Sequence, residues 1–253
     1  MGLIYEISQY LVFVRKIFRY NTKAFIFFSQ LLNDCYSIGV QSFFIISTLS
    51  LAVGFVSALQ LVTMLASTIV PAPLIPIGIK NTILLEFAPT IMCFVFIGRN
   101  ITAITCQLYD MKRSGYFDNL KVIGVDVISY GCLSKVCACT ICFPLSTIFS
   151  CFFSILGGYI YCVFYSGMNP HIYMDALVSY LNFHYINLCL IKSLVFGFLC
   201  GSVGSYLGFC FNKGNNLSMI SISQHCFTVC CIVVLCADIT INIIDTTFFK
   251  LPF

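Results

Sequence analysis

Charged side chains are scarce in this chain of 253 residues. Lys and Arg number 13 and Asp and Glu 9, 22 in all, so that 9% of the residues are charged, against about 25% in soluble domains. Residues 35–79 and 136–174 contain no Asp, Glu, Lys or Arg. Each run exceeds the roughly 20 residues that a helix needs to cross the hydrocarbon core. This scarcity excludes a soluble globular protein and predicts a polytopic membrane protein.

Catalytic motifs are also missing. The chain has no GxxxxGK[ST] loop and no GxSxG elbow, and its carboxylates do not form pairs or clusters on one helix. We therefore expect no catalytic residues and no ATP hydrolysis by the chain itself, so it is not predicted to be an enzyme. Its basic residues are scattered beside apolar runs, which argues against nucleic-acid binding and favours a role in membrane topology.

The 16 cysteines are spread along the apolar segments rather than grouped with other metal ligands. The tightest group, Cys137, Cys139 and Cys142, contains one CxxC, but the three histidines lie elsewhere in the sequence. Cysteine is also a small apolar packing residue. We therefore interpret the cysteines as packing residues and expect no metal and no cofactor.

The long apolar runs lack the alternation of strands, so we predict an all-α integral membrane protein. A single domain over residues 1–253 is expected, with an interfacial helix within 1–33 and a transmembrane region over 34–253. The proline-rich residues 70–78 predict a turn or re-entrant piece, and Pro144 and Gly157 predict a break in the third span. The five predicted spans are 37–68, 84–108, 129–164, 185–211 and 220–249.

A polar element separates the second and third spans. Residues 110–126 hold six of the 22 charged side chains, and we predict a short helix over 110–123 that ends near Gly124. Basic residues concentrate in the N-terminal segment and in this element, whereas residues 165–183 have no Lys or Arg. The positive-inside rule therefore predicts that the N-terminus and this element are cytoplasmic.

Four ionisable residues inside predicted spans are expected to be buried: Glu86, Arg99, Asp238 and Asp245. A charge at a helix centre costs about 2.5–3.5 kcal/mol on insertion scales, so each is expected to face a polar cavity or an opposite charge. An Arg99–Asp238 ion pair is the simplest hypothesis. Such a pair could hold helices together, or the residues could line a path for a substrate or ion.

Four glycines share one face of the fourth span, because they are spaced by four, three and four residues. Small residues let another helix approach closely in lipid. The partner helix could belong to the same subunit or to a second one. The four residues are Gly197, Gly201, Gly204 and Gly208.

The order of residues from position 86 onward resembles the MlaE/YrbE-type permeases of ABC lipid transporters. The run EFAPTIMCFVFIGRNITA matches the Glu, Pro, Gly and Arg of that family's second span, and the similarity continues through KSLVFG at 192–197 to Asp238. Further matching positions are Leu108, Met111, Asp118, Leu120, Val122, Gly124, Tyr130, Lys135, Pro144, Gly157 and Gly158.

The resemblance implies a permease subunit that moves phospholipid or a related lipid. It implies a homodimer in a bacterial inner membrane, a separate cytoplasmic ABC ATPase, and an Mce-type lipid-binding protein on the outer side. Glu86, Arg99 and Asp238 would line the substrate path. The coupling helix would contact the ATPase through Asp110, Met111, Lys112, Arg113, Asp118, Leu120 and Lys121.

The chain departs from the family pattern at its coupling element, where Gln107 and Gly115 stand in place of two glutamates. This change fits either a co-adapted ATPase or a relaxed permease. Two other functions are open at this point. One is a secondary transporter or channel that uses Arg99 and Asp238, and the other is a structural membrane subunit without transport activity.

Overall fold

The computed structural model describes residues 2–18, 24–65, 74–122, 127–179, 183–210 and 218–248, and every regular element in these ranges is helical. The all-α prediction is therefore confirmed. Four short π-helical segments, Tyr36–Val40, Ile83–Ile91, Ile97–Ile101 and Tyr161–Tyr165, continue or join the α-helices. The α-helices are α1 Gly2–Phe18, α2 Ala24–Cys35, α3 Phe43–Leu65, α4 Leu74–Thr82, α5 Met92–Phe96, α6 Thr102–Arg113, α7 Tyr116–Val122, α8 Val127–Ile160, α9 Pro170–Ser179, α10 Phe183–Cys210 and α11 Met219–Phe248.

Within these ranges, five helical runs are long and apolar enough to cross a membrane, which confirms the predicted number of spans. The first run starts at Phe28 rather than at the predicted residue 37, so part of the expected interfacial segment belongs to a long helix. The runs are Phe28–Met64, Leu74–Arg113, Tyr130–Tyr165, Phe183–Cys210 and Met219–Thr247.

Two predicted interruptions are wrong. The proline-rich segment was expected to be irregular, but it is helical from Leu74 onward, and Pro76 lies in the first turn of α4, where its missing N–H is not needed. The third span was expected to break, but α8 continues through Pro144 and Gly157. Proline is tolerated in spanning helices because neighbouring groups satisfy the freed backbone. Residues 70–73 of the proline-rich segment lie outside the described residues.

The chain divides into two compact units. Unit 1 contains Met1–Gln41, Phe96–Phe143 and Leu194–Phe253. Aromatic side chains form much of its interior: the Phe13 and Tyr206 rings lie 5.4 Å apart, and those of Phe96 and Phe143 lie 5.0 Å apart. Edge-to-face ring pairs at this spacing add to the free energy of burial. The N-terminal helix α1 is thus packed against α10.

Unit 2 contains Ser42–Val95 and Pro144–Ser193. Here α3 and α8 approach so closely that a Cβ added at Gly54 or at Gly157 would overlap the backbone of the opposite helix. The Ser154 hydroxyl donates to the carbonyl oxygen of Ser50 across this contact, at 2.9 Å. Small residues and interhelical hydrogen bonds are what hold helices together in lipid. Tyr173 of α9 is fully buried beside this pair, and its hydroxyl donates to the Ile155 carbonyl at 3.1 Å.

Candidate functional site

The charged element is a turn between two helices. Gly115 has φ +78°, and its carbonyl oxygen accepts hydrogen bonds from the backbone N–H groups of Asp118 and Asn119 at 3.0 and 3.1 Å. A left-handed residue ends a helix, and glycine adopts that conformation without steric cost. The predicted single helix over 110–123 is therefore wrong, because α6 ends before this glycine and α7 begins after it. Its predicted end at Gly124 lies outside the described residues.

Four charged side chains of this element are exposed: Asp110, Arg113, Asp118 and Lys121. The Lys121 ammonium donates to the Asp118 carboxylate at 3.2 Å on the surface of α7. Exposed pairs of this kind contribute little to folding. Exchanging this ion pair for contacts with another molecule would therefore cost the fold little.

Lys112, which was predicted to belong to the same surface, is half-buried and is used inside unit 1. Its ammonium donates to the Phe209 carbonyl oxygen at 2.6 Å and lies 5.6 Å from the centre of the Phe209 ring. The lysine thereby ties the end of α6 to α10 through a charge-assisted hydrogen bond and a cation–π contact. Leu120 is also half-buried.

Exposed apolar side chains flank the charged ones, and the sequence reasoning missed two of them. Val122 is 88% exposed, and Tyr116 and Met111 are also exposed. An open hollow of about 580 Å³ is lined by Asp110, Met111, Arg113, Ser114 and Tyr116. Apolar side chains with a charged rim are typical of a protein-binding surface. We call residues 110–122 the docking turn.

A buried ion pair lies near this turn in unit 1. The Lys135 ammonium lies 3.6 Å from a carboxylate oxygen of Asp34 and donates to the side-chain carbonyl of Gln107 at 3.2 Å. The Ser134 hydroxyl donates to the second carboxylate oxygen of Asp34 at 2.8 Å. Gln107, noted above as a departure from the family pattern, is thus a neutral partner of Lys135, and Asp34 supplies the negative charge.

Arg99 does not pair with Asp238. Its guanidinium donates to the carbonyl oxygen of Gln41 at 2.6 Å, and the described part of the chain shows no ion pair between Arg99 and any carboxylate. Asp238 lies on α11. The predicted Arg99–Asp238 pairing is therefore wrong, because Arg99 finds its partner where α2 leads into α3.

Glu86 has a partner that the sequence reasoning did not identify. The Lys192 ammonium of α10 lies 3.6 Å from its carboxylate and donates to the Leu85 carbonyl oxygen at 2.9 Å. Lys192 is fully buried, whereas nearly half of the Glu86 side chain is exposed. The Thr90 hydroxyl donates to the Glu86 carbonyl oxygen one turn further along. In unit 2, the acidic member of the ion pair is therefore partly exposed, and its basic member is buried.

The four glycines of α10 face other helices of the same chain. A Cβ at Gly197 or Gly201 would lie about 3 Å from Cys139 of α8, and a Cβ at Gly208 would lie 2.9 Å from Leu108 and Thr105 of α6. Gly204 likewise faces Ile101. Helices of the same chain therefore pack against the glycine face of α10.

All 16 cysteines are free thiols, and most are buried or half-buried among the helices. Cys139 packs against the glycine face of α10, and the Cys226 thiol lies 3.0 Å from the Thr105 hydroxyl. Only Cys210 and Cys236 are exposed. In the described ranges, no three His, Cys, Asp or Glu residues are grouped so that they could hold a metal ion.

This chain is similar to several proteins that are named as probable ABC transporter permeases. A "Probable ABC transporter permease protein" of Synechocystis sp. is 28% identical over 123 residues, which are 49% of this chain and 47% of that protein. One of Rickettsia typhi is 26% identical over 51% of this chain and 50% of its own length. A third such protein, from Rickettsia bellii, is 24% identical over 75% of this chain and 73% of its own length. The chain thus spans about half the length of the first two relatives.

The family described as Permease MlaE matches residues 31–244, from the middle of α2 almost to the end of α11. That range contains the docking turn, both buried lysine pairs, three of the apolar runs in full and most of the first and last runs. The chain therefore belongs to the MlaE permease family.

Proposed function

We propose that this chain is the membrane-spanning subunit of an ABC transporter that moves phospholipid or a related lipid. A separate cytoplasmic ATPase drives it, and two copies of the chain form the membrane core. An Mce-type lipid-binding protein works on the outer side. The membrane is a bacterial inner membrane, with the N-terminus in the cytoplasm. Family membership and five apolar helical runs support this reading.

The exposed surface of the docking turn is the observation that supports a contact with the ATPase. It joins two apolar runs and combines exposed apolar side chains, Met111, Tyr116 and Val122, with charges that are not needed for folding. A partner that buries the apolar side chains would gain about 25 cal/mol for each Å² removed from water. Asp110, Arg113, Asp118 and Lys121 would set its orientation, because rim charges mainly determine specificity.

The lipid path is proposed to pass Glu86. Its carboxylate is half-exposed on a membrane-spanning run, with the Lys192 ammonium fixed below it. A polar headgroup reaching this point would meet a charged, hydrogen-bonding surface, while its acyl chains stayed among apolar helices. Because the chain carries out no covalent step, transport is a shift between cavity states that the ATPase biases.

The ATPase contact can be tested with two matched valines. The chain is co-expressed with its ATPase subunit and recovered through a tag, and the co-purified ATPase is quantified. We expect Val122→Asp to lower the recovered ATPase at least tenfold, because a charge would enter the apolar part of the contact. Val178→Asp, which makes the same change at a valine of α9 that is 69% exposed, should stay within twofold of the wild type.

Two results would contradict this proposal. One is a wild-type chain that recovers no ATPase, and the other is a Val122→Asp chain that recovers as much as the wild type. The charge-reversed variant Asp118→Arg with Lys121→Glu tests the charged side chains of the docking turn separately. It should also weaken binding of the ATPase. Lipid transport predicts in addition that phospholipid co-purifies with the wild-type chain and is detected by mass spectrometry.

A further inference from the structure

A small cavity lies beside Arg99 within unit 1. Its volume is about 130 Å³. It is formed where α2 and the following π-helical segment meet the Arg99–Gln107 stretch and the start of α8. Its polar lining consists of Asp34, Ser37, Gln41, Arg99, Asn100, Gln107 and Lys135. We call it the Arg99 cavity.

The charges around this cavity do not cancel. Lys135 is matched by Asp34, 3.6 Å away, and that carboxylate is further occupied by the Ser134 hydroxyl. Arg99 adds a second positive charge, and the described residues place no carboxylate within ion-pair distance of it. The cavity therefore holds one positive charge in excess. An unmatched charge on a membrane-spanning helix is costly, so the site favours an anion.

The donors of Arg99 are also largely unused. A guanidinium has five N–H donors, and Arg99 spends one of them on the Gln41 carbonyl oxygen at 2.6 Å. That bond fixes the position of the planar group beside the cavity. The fork geometry of the remaining donors matches two oxygens of a phosphate group. Gln41 and Lys135 also line the cavity, and their side chains carry further N–H donors.

We propose that the Arg99 cavity binds a phosphate group, with Arg99 as the main ligand and with Gln41 and Lys135 as supporting donors. The phosphate could belong to a lipid headgroup or be free in solution. The headgroup source rests on the proposed lipid transport, whereas the phosphate chemistry follows from the cavity alone. Arg99 is thus assigned to a ligand site of its own, separate from the Glu86–Lys192 pair of unit 2.

The test measures binding to the purified full-length chain in a non-ionic maltoside detergent, without the ATPase. Isothermal titration calorimetry is carried out with inorganic phosphate and with short-chain dihexanoyl phosphatidate. We expect Arg99→Gln to weaken binding at least tenfold. Arg99→Lys should fall between it and the wild type, because lysine keeps the charge and loses the fork. The control Arg15→Gln removes an exposed arginine of α1 outside the cavity and should stay within twofold.

Folding is checked independently of the variants. Phosphate should raise the thermal unfolding temperature of the wild-type chain above the value in chloride at equal ionic strength, because a ligand of the native state stabilises it. The proposal is overturned if the wild type binds neither probe, or if a folded Arg99→Gln chain binds like the wild type. Phosphatidate binding at least tenfold tighter than phosphate identifies a headgroup site, and equal binding identifies a free-phosphate site. Since the ATPase is absent, failure here leaves the docking-turn test unaffected.

Discussion

Units 1 and 2 each bury a lysine against a carboxylate from another helix, but the carboxylates differ in their exposure. In unit 1, the side chains of Lys135 and Asp34 are 10% and 19% exposed. In unit 2, Lys192 is 1% exposed and Glu86 is 46% exposed. Both ion pairs span 3.6 Å, and both lysines also donate to a neutral oxygen. The difference therefore lies in access to the carboxylate, not in the geometry of the pair.

This difference separates a pair with an enclosed carboxylate from a pair whose carboxylate is partly exposed. The Asp34 carboxylate is filled on one side by Lys135 and on the other by the Ser134 hydroxyl, so it stabilises the packing of α2 against α8. By contrast, nearly half of the Glu86 side chain stays exposed. A buried pair is expensive to break, because its remaining member is left charged in an apolar interior. In the open pair, that cost depends on which member is removed.

The largest expected effect is in the closed pair. Lys135→Met leaves the Asp34 carboxylate buried without its cation, and we expect the free energy of unfolding to fall by about 3–5 kcal/mol. Circular dichroism during denaturant unfolding in detergent would measure the loss. The double variant Lys135→Met with Asp34→Asn should recover at least half of it. A single-variant loss below about 1 kcal/mol, at the level of an ordinary hydrogen bond, would contradict a closed pair.

The open pair should respond asymmetrically. Glu86→Gln strands the fully buried Lys192 and is expected to cost about 3 kcal/mol of unfolding free energy. Lys192→Met leaves Glu86 partly in contact with solvent and should cost about 1 kcal/mol. The same unfolding measurement decides between them. Equal losses, or the reverse order, would mean that Glu86 is as enclosed as Asp34.

The smallest effect is expected in the exposed pair of the docking turn. Asp118→Asn should change the unfolding free energy by no more than about 0.5 kcal/mol, because both side chains are mostly exposed. Asp34→Asn is the matched control, since it makes the same chemical change in the closed pair. A loss at Asp118 that approaches the loss at Asp34 would show that the docking turn is packed more tightly than its exposure indicates.

The sequence predicted the five spans because the length of an apolar run is encoded locally, and the runs agree with 37–68, 84–108, 129–164, 185–211 and 220–249 apart from their ends. It also located the charged element. The turn inside that element was missed, although Ser114-Gly115 is a common helix-ending pair and could have predicted it. The continuity of α8 through Pro144 depends on packing that a local pattern does not contain.

The ion pairs could not be predicted for a different reason. Asp34 and Lys135, like Glu86 and Lys192, lie about a hundred residues apart and meet only because particular helices pack together. Pairing Arg99 with Asp238 used charge alone, and the backbone carbonyl of Gln41 was the partner instead. A single sequence indicates that a charge in a span needs a partner, but not which helix provides it.

The distribution of thiols provides a built-in label for topology. Cys210 is exposed at the end of α10, whereas its neighbours in that helix, Cys189 and Cys200, are buried. A membrane-impermeant maleimide would therefore modify Cys210 from one side of a sealed vesicle only. The proposed topology, with a cytoplasmic N-terminus and five crossings, predicts that this side is the cytoplasmic one. The native chain reports its own orientation without an introduced cysteine.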